Sequence, residues 1–164
     1  MLNSPDVCCI PKRGIMSNWD QYYLAMARLA ASKSKDPSTK AGAAIVRPDK
    51  TLVSTGYNGF PKQMPDNPEW YSNREEKYSR IVHCEINAMI HSYEKLEGYT
   101  LYTYPFIPCD RCCVQMIQAG IKRMVAPVPS ADALTRWSAA FEKTKLYCQQ
   151  SGVEVVEIPL PEVV

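Results

Sequence analysis

The chain has 164 residues, 46% of them hydrophobic, which is enough for one compact domain with a continuous core and too few for two ordinary ones. Nineteen basic against seventeen acidic side chains give a formal charge of +2, without the basic excess of a protein that grips a phosphate backbone. No stretch reaches the ~20 apolar residues of a membrane span, and Met1 to Arg13 lacks a signal-peptide core, so a cytoplasmic protein with neither membrane nor nucleic-acid partner is expected.

A single domain over 1–164 is expected, with residues 1–16 as a loosely ordered arm. Asn18 to Ser34 carries apolar residues at Tyr22, Tyr23, Met26, Ala27, Leu29 and Ala30, a helical period that Ser17 or Asn18 can cap. After the turn chemistry of Lys35 to Lys40, the runs 41–46 and 52–55 are rich in strand-forming residues. Arg47-Pro48-Asp49-Lys50 separates them, which predicts a hairpin. Gly56-Tyr57-Asn58-Gly59 ends its second strand, and the three prolines from Pro61 to Asn73 predict a surface loop.

A second helix is expected from His83 to Tyr93 and a central strand over 100–104. A third helix is opened by Pro108 and stopped by Gly120. A strand over 123–126, a helix over 131–150 and a strand over 153–158 follow. This alternation predicts an α/β fold, a sheet with helices on both faces.

His83-Cys84-Glu85 and Pro108-Cys109-Asp110-Arg111-Cys112 carry the chemistry. They offer an imidazole, two thiolates and a carboxylate, each where a strand or loop enters a helix. A structural zinc closes its tetrahedron with protein ligands, whereas a catalytic zinc leaves one position to water. His83, Cys109 and Cys112 therefore read as three ligands of one catalytic zinc. Glu85 is left free to move protons between an activated water and a departing amine, and it does so best when burial raises its pKa. This pattern of HxE and PCxxC is that of zinc nucleobase deaminases. The total of seven cysteines is odd, and the Cys109/Cys112 spacing suits a metal, so the cysteines are expected to be reduced. Cys113 should face away from a metal held by Cys112, because adjacent helical residues point about 100° apart. Cys84 reads as a small packing residue whose N–H faces the pocket. Cys8, Cys9 and Cys148 read as spare, and His91 as a surface or interface residue.

Taken in order, SKDPSTKAGAAIV, the GYNG turn, HCEINAMI, PCDRC and QAGIKRMV resemble the deoxycytidylate deaminases of the cytidine deaminase superfamily. The resemblance implies a three-layer α-β-α fold, a mixed five-stranded sheet with helices on both faces, and hydrolysis of dCMP to dUMP and ammonia. It gives zinc to His83, Cys109 and Cys112, one ion per chain, and the proton shuttle to Glu85. Asn58 is expected to contact the nucleoside, although Asn beside Gly is also a common left-handed turn residue. Ser34 and Lys35, with Thr39 and Lys40 beside them, are expected to bind phosphate, and Cys84 to border the base. Family members are often homohexamers activated by dCTP and inhibited by dTTP, with Mg2+ on the triphosphate. Tyr57, Asn58, Gly59 and Phe60 are the segment expected to feel such an effector.

Two departures stand out: Cys84 replaces the usual alanine, and the segment around Tyr104-Pro105-Phe106 is one residue longer at the pocket wall. A nucleic-acid deaminase, such as a tRNA adenosine deaminase, would share the zinc and Glu85 but want an extended basic surface. A zinc module without activity would have no need of Glu85.

Overall fold

A computed structural model describes residues 18–160, so the arm expected over 1–16, with Cys8 and Cys9, lies outside the described residues. Five strands form one sheet in the order β2-β1-β3-β4-β5. They are β1 (Gly42–Val46), β2 (Leu52–Tyr57), β3 (Thr100–Tyr104), β4 (Arg123–Pro127) and β5 (Glu154–Ile158). β1 runs antiparallel to β2 and β3, whereas β3, β4 and β5 are parallel. The mixed sheet and its central strand are as the sequence predicts.

Helix α1 (Trp19–Ala31) covers one face, packing Tyr23, Leu24 and Ala27 on Ala44, Val46, Tyr102 and Val125. Close approach is possible because β1 opens on glycine: a Cβ at Gly42 would lie 2.0 Å from the Ala27 carbonyl. The other face carries α4 (Cys84–Ile90), α5 (Asp110–Gln118) and α6 (Ala131–Ser151). Two successive parallel crossovers, β3-α5-β4 and β4-α6-β5, step the same way across the sheet, and their common hand puts both helices on that face. A Cβ at Gly56 would lie 2.3 Å from the Cys84 carbonyl, so this glycine admits the start of α4 against β2.

The segment after β2 departs from the expected loop. Residues 68–72 form α2 (Pro68–Ser72), and α3 (Arg74–Arg80) follows at once. Asn67 accepts from the Glu69 N–H and Pro68 occupies the first turn; Asn73 accepts from the Glu75 and Glu76 N–H groups. These caps, rather than an apolar period, start both helices. The third predicted helix begins at Asp110, not at Pro108: Cys109 holds the cap position, and the Pro108 carbonyl accepts from the Thr144 hydroxyl (2.9 Å).

Antiparallel pairing aligns Gly42 with both Tyr57 and Tyr104. The loop before β1, the end of β2 and the end of β3 therefore converge on one edge of the sheet. That edge lies beyond the carboxyl end of a parallel strand, where α/β sheets place ligands.

Candidate active site

His83 and Cys109 occupy the cap positions of α4 and α5, and neither side chain makes the usual capping hydrogen bond. They turn to each other instead. The Sγ atoms of Cys109 and Cys112 lie 3.5 and 3.3 Å from His83 Nδ1, and all three donor atoms lie within 4.8 Å of one another. A tetrahedral zinc, with bonds of about 2.0 Å to nitrogen and about 2.3 Å to sulfur, requires spacings of about 3.6 Å between such atoms. The donor set fits zinc in both chemistry and size. Exposure falls from His83, which is exposed, to Cys112, which is buried. A hydrogen bond from Cys112, and after it one with His83, pull the Cys109 thiol below its ordinary value against the opposing effect of burial.

Cys113 faces away, its Sγ 3.6 Å from that of Cys148 between α5 and α6. Cys84 is buried in the core that carries α4, and burial pushes its thiol well above the ordinary value. His91 is the C-cap of α4 and half-buried.

Beside the trio lies a cavity of about 130 Å³ whose wall includes Thr39, Asn58, His83, Cys84, Glu85 and Cys109. Glu85 is 5% exposed, and its Oε2 has no hydrogen-bond partner among the described residues. Burial pushes its carboxyl up, although the nearby His83 charge opposes this. A buried acceptor without a partner costs about 1–3 kcal/mol, a cost that a ligand or water in the cavity would relieve.

Asn58 is tied into the loop before β1. Its Oδ1 accepts from the Ala41 N–H (2.8 Å), and its Nδ2 donates to the Thr39 carbonyl (2.8 Å) and to Asp36 (3.3 Å). It does not take the left-handed conformation that an Asn-Gly turn offers. Ser34 and Lys35 do not line the cavity. Ser34 is buried and donates to the Asn58 carbonyl (2.9 Å), while Lys35 is an exposed partner of Asp66. Lys40 borders a neighbouring surface cleft. Of the segment expected to feel an effector, Tyr57 is exposed and Gly59 pairs with Val82, just before the motif. Phe60 stacks on Tyr71 of α2, with centroids 4.1 Å apart.

Sequence reasoning missed several lining residues: Asp36, Lys77, Arg136 and Trp137. Lys77 and Asp36 form a buried ion pair (2.7 Å), and Lys77 also donates to Ser38. Burial alone would raise the Asp36 carboxyl, but Lys77 and the Ser38 and Thr39 groups hold it below its ordinary value. Phe106, from the long segment after β3, completes the wall opposite.

Residues 17–127 match the family model described as the cytidine and deoxycytidylate deaminase zinc-binding region. The chain belongs to that family. Its relatives include the deoxycytidylate deaminase of Homo sapiens, 36% identical over 126 residues that make up 73% of this chain and 70% of the human one. An uncharacterized deaminase of Aliivibrio fischeri is 36% identical over 89% of this chain and 97% of its own. Among solved structures, the dCMP deaminase of cyanophage S-TIM5, in complex with dCMP and dUMP, superposes with a TM-score of 0.66. At 24% identity, over 84% of this chain and 95% of the phage chain, that likeness speaks to the fold. The family's zinc-binding region thus contains the His83, Cys109 and Cys112 trio. Among the described residues, no helix is long and apolar enough to cross a membrane.

Proposed function

We propose that the protein deaminates dCMP to dUMP, with water as co-substrate and ammonia as second product. One observation carries the reading: the buried, unpartnered carboxylate oxygen of Glu85 stands in the cavity wall beside a His/Cys/Cys donor set. Zinc held by His83, Cys109 and Cys112 would supply a Lewis acid that makes the protons of water labile at neutral pH. Glu85 takes one proton from the water whose oxygen adds to C4 of the cytosine, and delivers it to N3. It then carries the second to the amino group, the C4–N bond breaks, and ammonia leaves. A carboxyl whose affinity for protons is raised by burial suits both halves of that relay.

Asn58, held by the loop bonds, keeps a second lone pair of its Oδ1 for a sugar hydroxyl, and Thr39 and Cys84 border the base. Ser34 and Lys35 brace this loop from behind and from outside. The phosphorylated substrate is favoured over the nucleoside by the resemblance and by relatives named as deoxycytidylate deaminases. By the same resemblance, the protein works in the cytoplasm as a homohexamer, activated by dCTP and inhibited by dTTP as Mg2+ complexes. The anchoring of Phe60 on α2 gives the Tyr57 to Phe60 segment a route to Asn58.

Ammonia release from dCMP, assayed with and without dCTP and dTTP, tests the reaction and its control together. Glu85→Gln should keep zinc and fold while losing roughly a thousandfold in kcat, since general acid–base catalysis contributes factors of about that size. An unchanged rate would refute the mechanism.

A further inference from the structure

The cavity beside Glu85 shares its outer wall with two surface clefts, and Ser38 and Arg136 line all three spaces. Lys77 and Trp137 line the cavity and one of the clefts. The donors at the mouth of the site thus come from α3 and α6, with Ser38 of the loop before β1 beside them.

Their present partners differ in strength. Lys77 is committed: it is buried, paired with the Asp36 carboxylate at 2.7 Å, and also donates to Ser38. Among the described residues, Arg136 pairs with Asp132 one turn back on α6 (2.8 Å), with side chains 46% and 76% exposed. Such exposed pairs contribute little, so an anion can draw the guanidinium away at small cost. The indole Nε1 of Trp137, next along the helix, is buried and has no acceptor among the described residues. An indole nitrogen can only donate, so a ligand that satisfies it must bring an acceptor.

A phosphate monoester has the matching chemistry: two negative charges and three oxygens, which suit a planar guanidinium fork and further neutral donors. We infer that Arg136, with the Trp137 indole N–H, receives the phosphate of the nucleotide at the cavity mouth, beside a Ser38 hydroxyl that donates to Asp36 (2.9 Å). Lys77 acts through Ser38 and Asp36 as a positioning residue. The inference rests on the nucleotide reading above and moves phosphate recognition from the Ser34-Lys35 element to the first turns of α6.

Isothermal titration of the zinc-loaded protein with dUMP and with deoxyuridine, at fixed ionic strength, tests it without turnover. Wild type should bind dUMP at least about tenfold more tightly than deoxyuridine. Arg136→Ala should weaken dUMP by roughly 10–100-fold and deoxyuridine far less, as expected when a charge-assisted contact to one group is lost. Arg136→Lys should fall between, because it keeps the charge and loses the fork. Trp137→Phe, which keeps a ring and removes the N–H, should cost roughly 3–10-fold on dUMP alone. Equal losses on both ligands, no loss in Arg136→Ala, or a wild type indifferent to the phosphate would overturn the inference. Tight, Arg136-dependent dUMP binding without ammonia release from dCMP would instead sink the proposed reaction and leave the phosphate site standing.

Discussion

The helix starts of this molecule fall into two groups. At α1, α2, α3 and α6 the cap residues Asn18, Asn67, Asn73 and Ser130 accept hydrogen bonds from the first free N–H groups of their own helix. At α4 and α5 the cap positions hold His83 and Cys109, whose side chains make no such bond and converge on Cys112. A good cap is worth about 0.5–2 kcal/mol, so two helix starts have given up local stability to present ligands. The same contrast runs through the buried polar groups. Asp20 accepts from both Arg123 Nη atoms (2.7 Å each) and from the Tyr102 hydroxyl (2.8 Å), while Glu85 Oε2 and Trp137 Nε1 have no partner among the described residues. The Asp20 network holds α1 to the sheet, whereas Glu85 and Trp137 belong to the cavity wall.

His83→Asn puts both halves of that contrast to the strongest test. It supplies α4 with an ordinary cap and removes a ligand. Zinc content should drop from about one per chain towards none and deamination should fall by roughly a thousandfold or more. The metal-free variant should nevertheless melt no lower than metal-free wild type, with a gain of about 0.5–1 kcal/mol if the cap forms. A lower melting temperature would mean that His83 stabilises the fold in its own right.

Asp20→Asn probes the satisfied side. Its carboxylate is mostly buried and bonded to Arg123, and its loss should cost about 2 kcal/mol with little change in kcat. The Arg123 hydrogen bonds hold the Asp20 carboxyl below its ordinary 3.8, against the opposing effect of burial. The folded pKa is therefore the lower one. The contribution is fully present above pH ~4 and disappears as pH falls through the depressed value. In denaturant titrations the gap between the two proteins should narrow as pH falls below about 4; a constant gap would exclude ionisation as the cause.

The smallest effect is expected at Ser130→Ala, which removes the bond to the Ala133 N–H (3.2 Å) at the start of α6. A loss of about 1 kcal/mol in urea unfolding is expected, with zinc binding untouched. A change in dUMP affinity larger than in stability would tie that cap to the placement of Arg136 and Trp137 on the turns that follow.

The strands, α1 and α6 were legible because apolar period, turn residues and caps agree there, and the two motif helices from their apolar positions and the flanking Pro108 and Gly120. α2 and α3 were not. They are short and largely polar, and their signal was confined to Asn67-Pro68 and to Asn73 followed by two glutamates. In the site, Glu85 sits next to the ligands in sequence and could be named with them, whereas Lys77, Arg136 and Trp137 arrive from separate elements. Ser34 and Lys35 had suitable chemistry in sequence, but one hydroxyl turned inward to Asn58 and one ammonium outward to Asp66.

The sequence alone determined the donor set and the carboxylate beside it, because ligand types and spacing across two helix starts suffice to point to a metal. Only the tertiary structure decided what stands at the mouth of the cavity. Strand register brings the start of β1 and the ends of β2 and β3 to one edge, and the crossover hand lays α6 beside it. A helix from near the end of the chain thereby becomes part of a site that its own sequence does not announce.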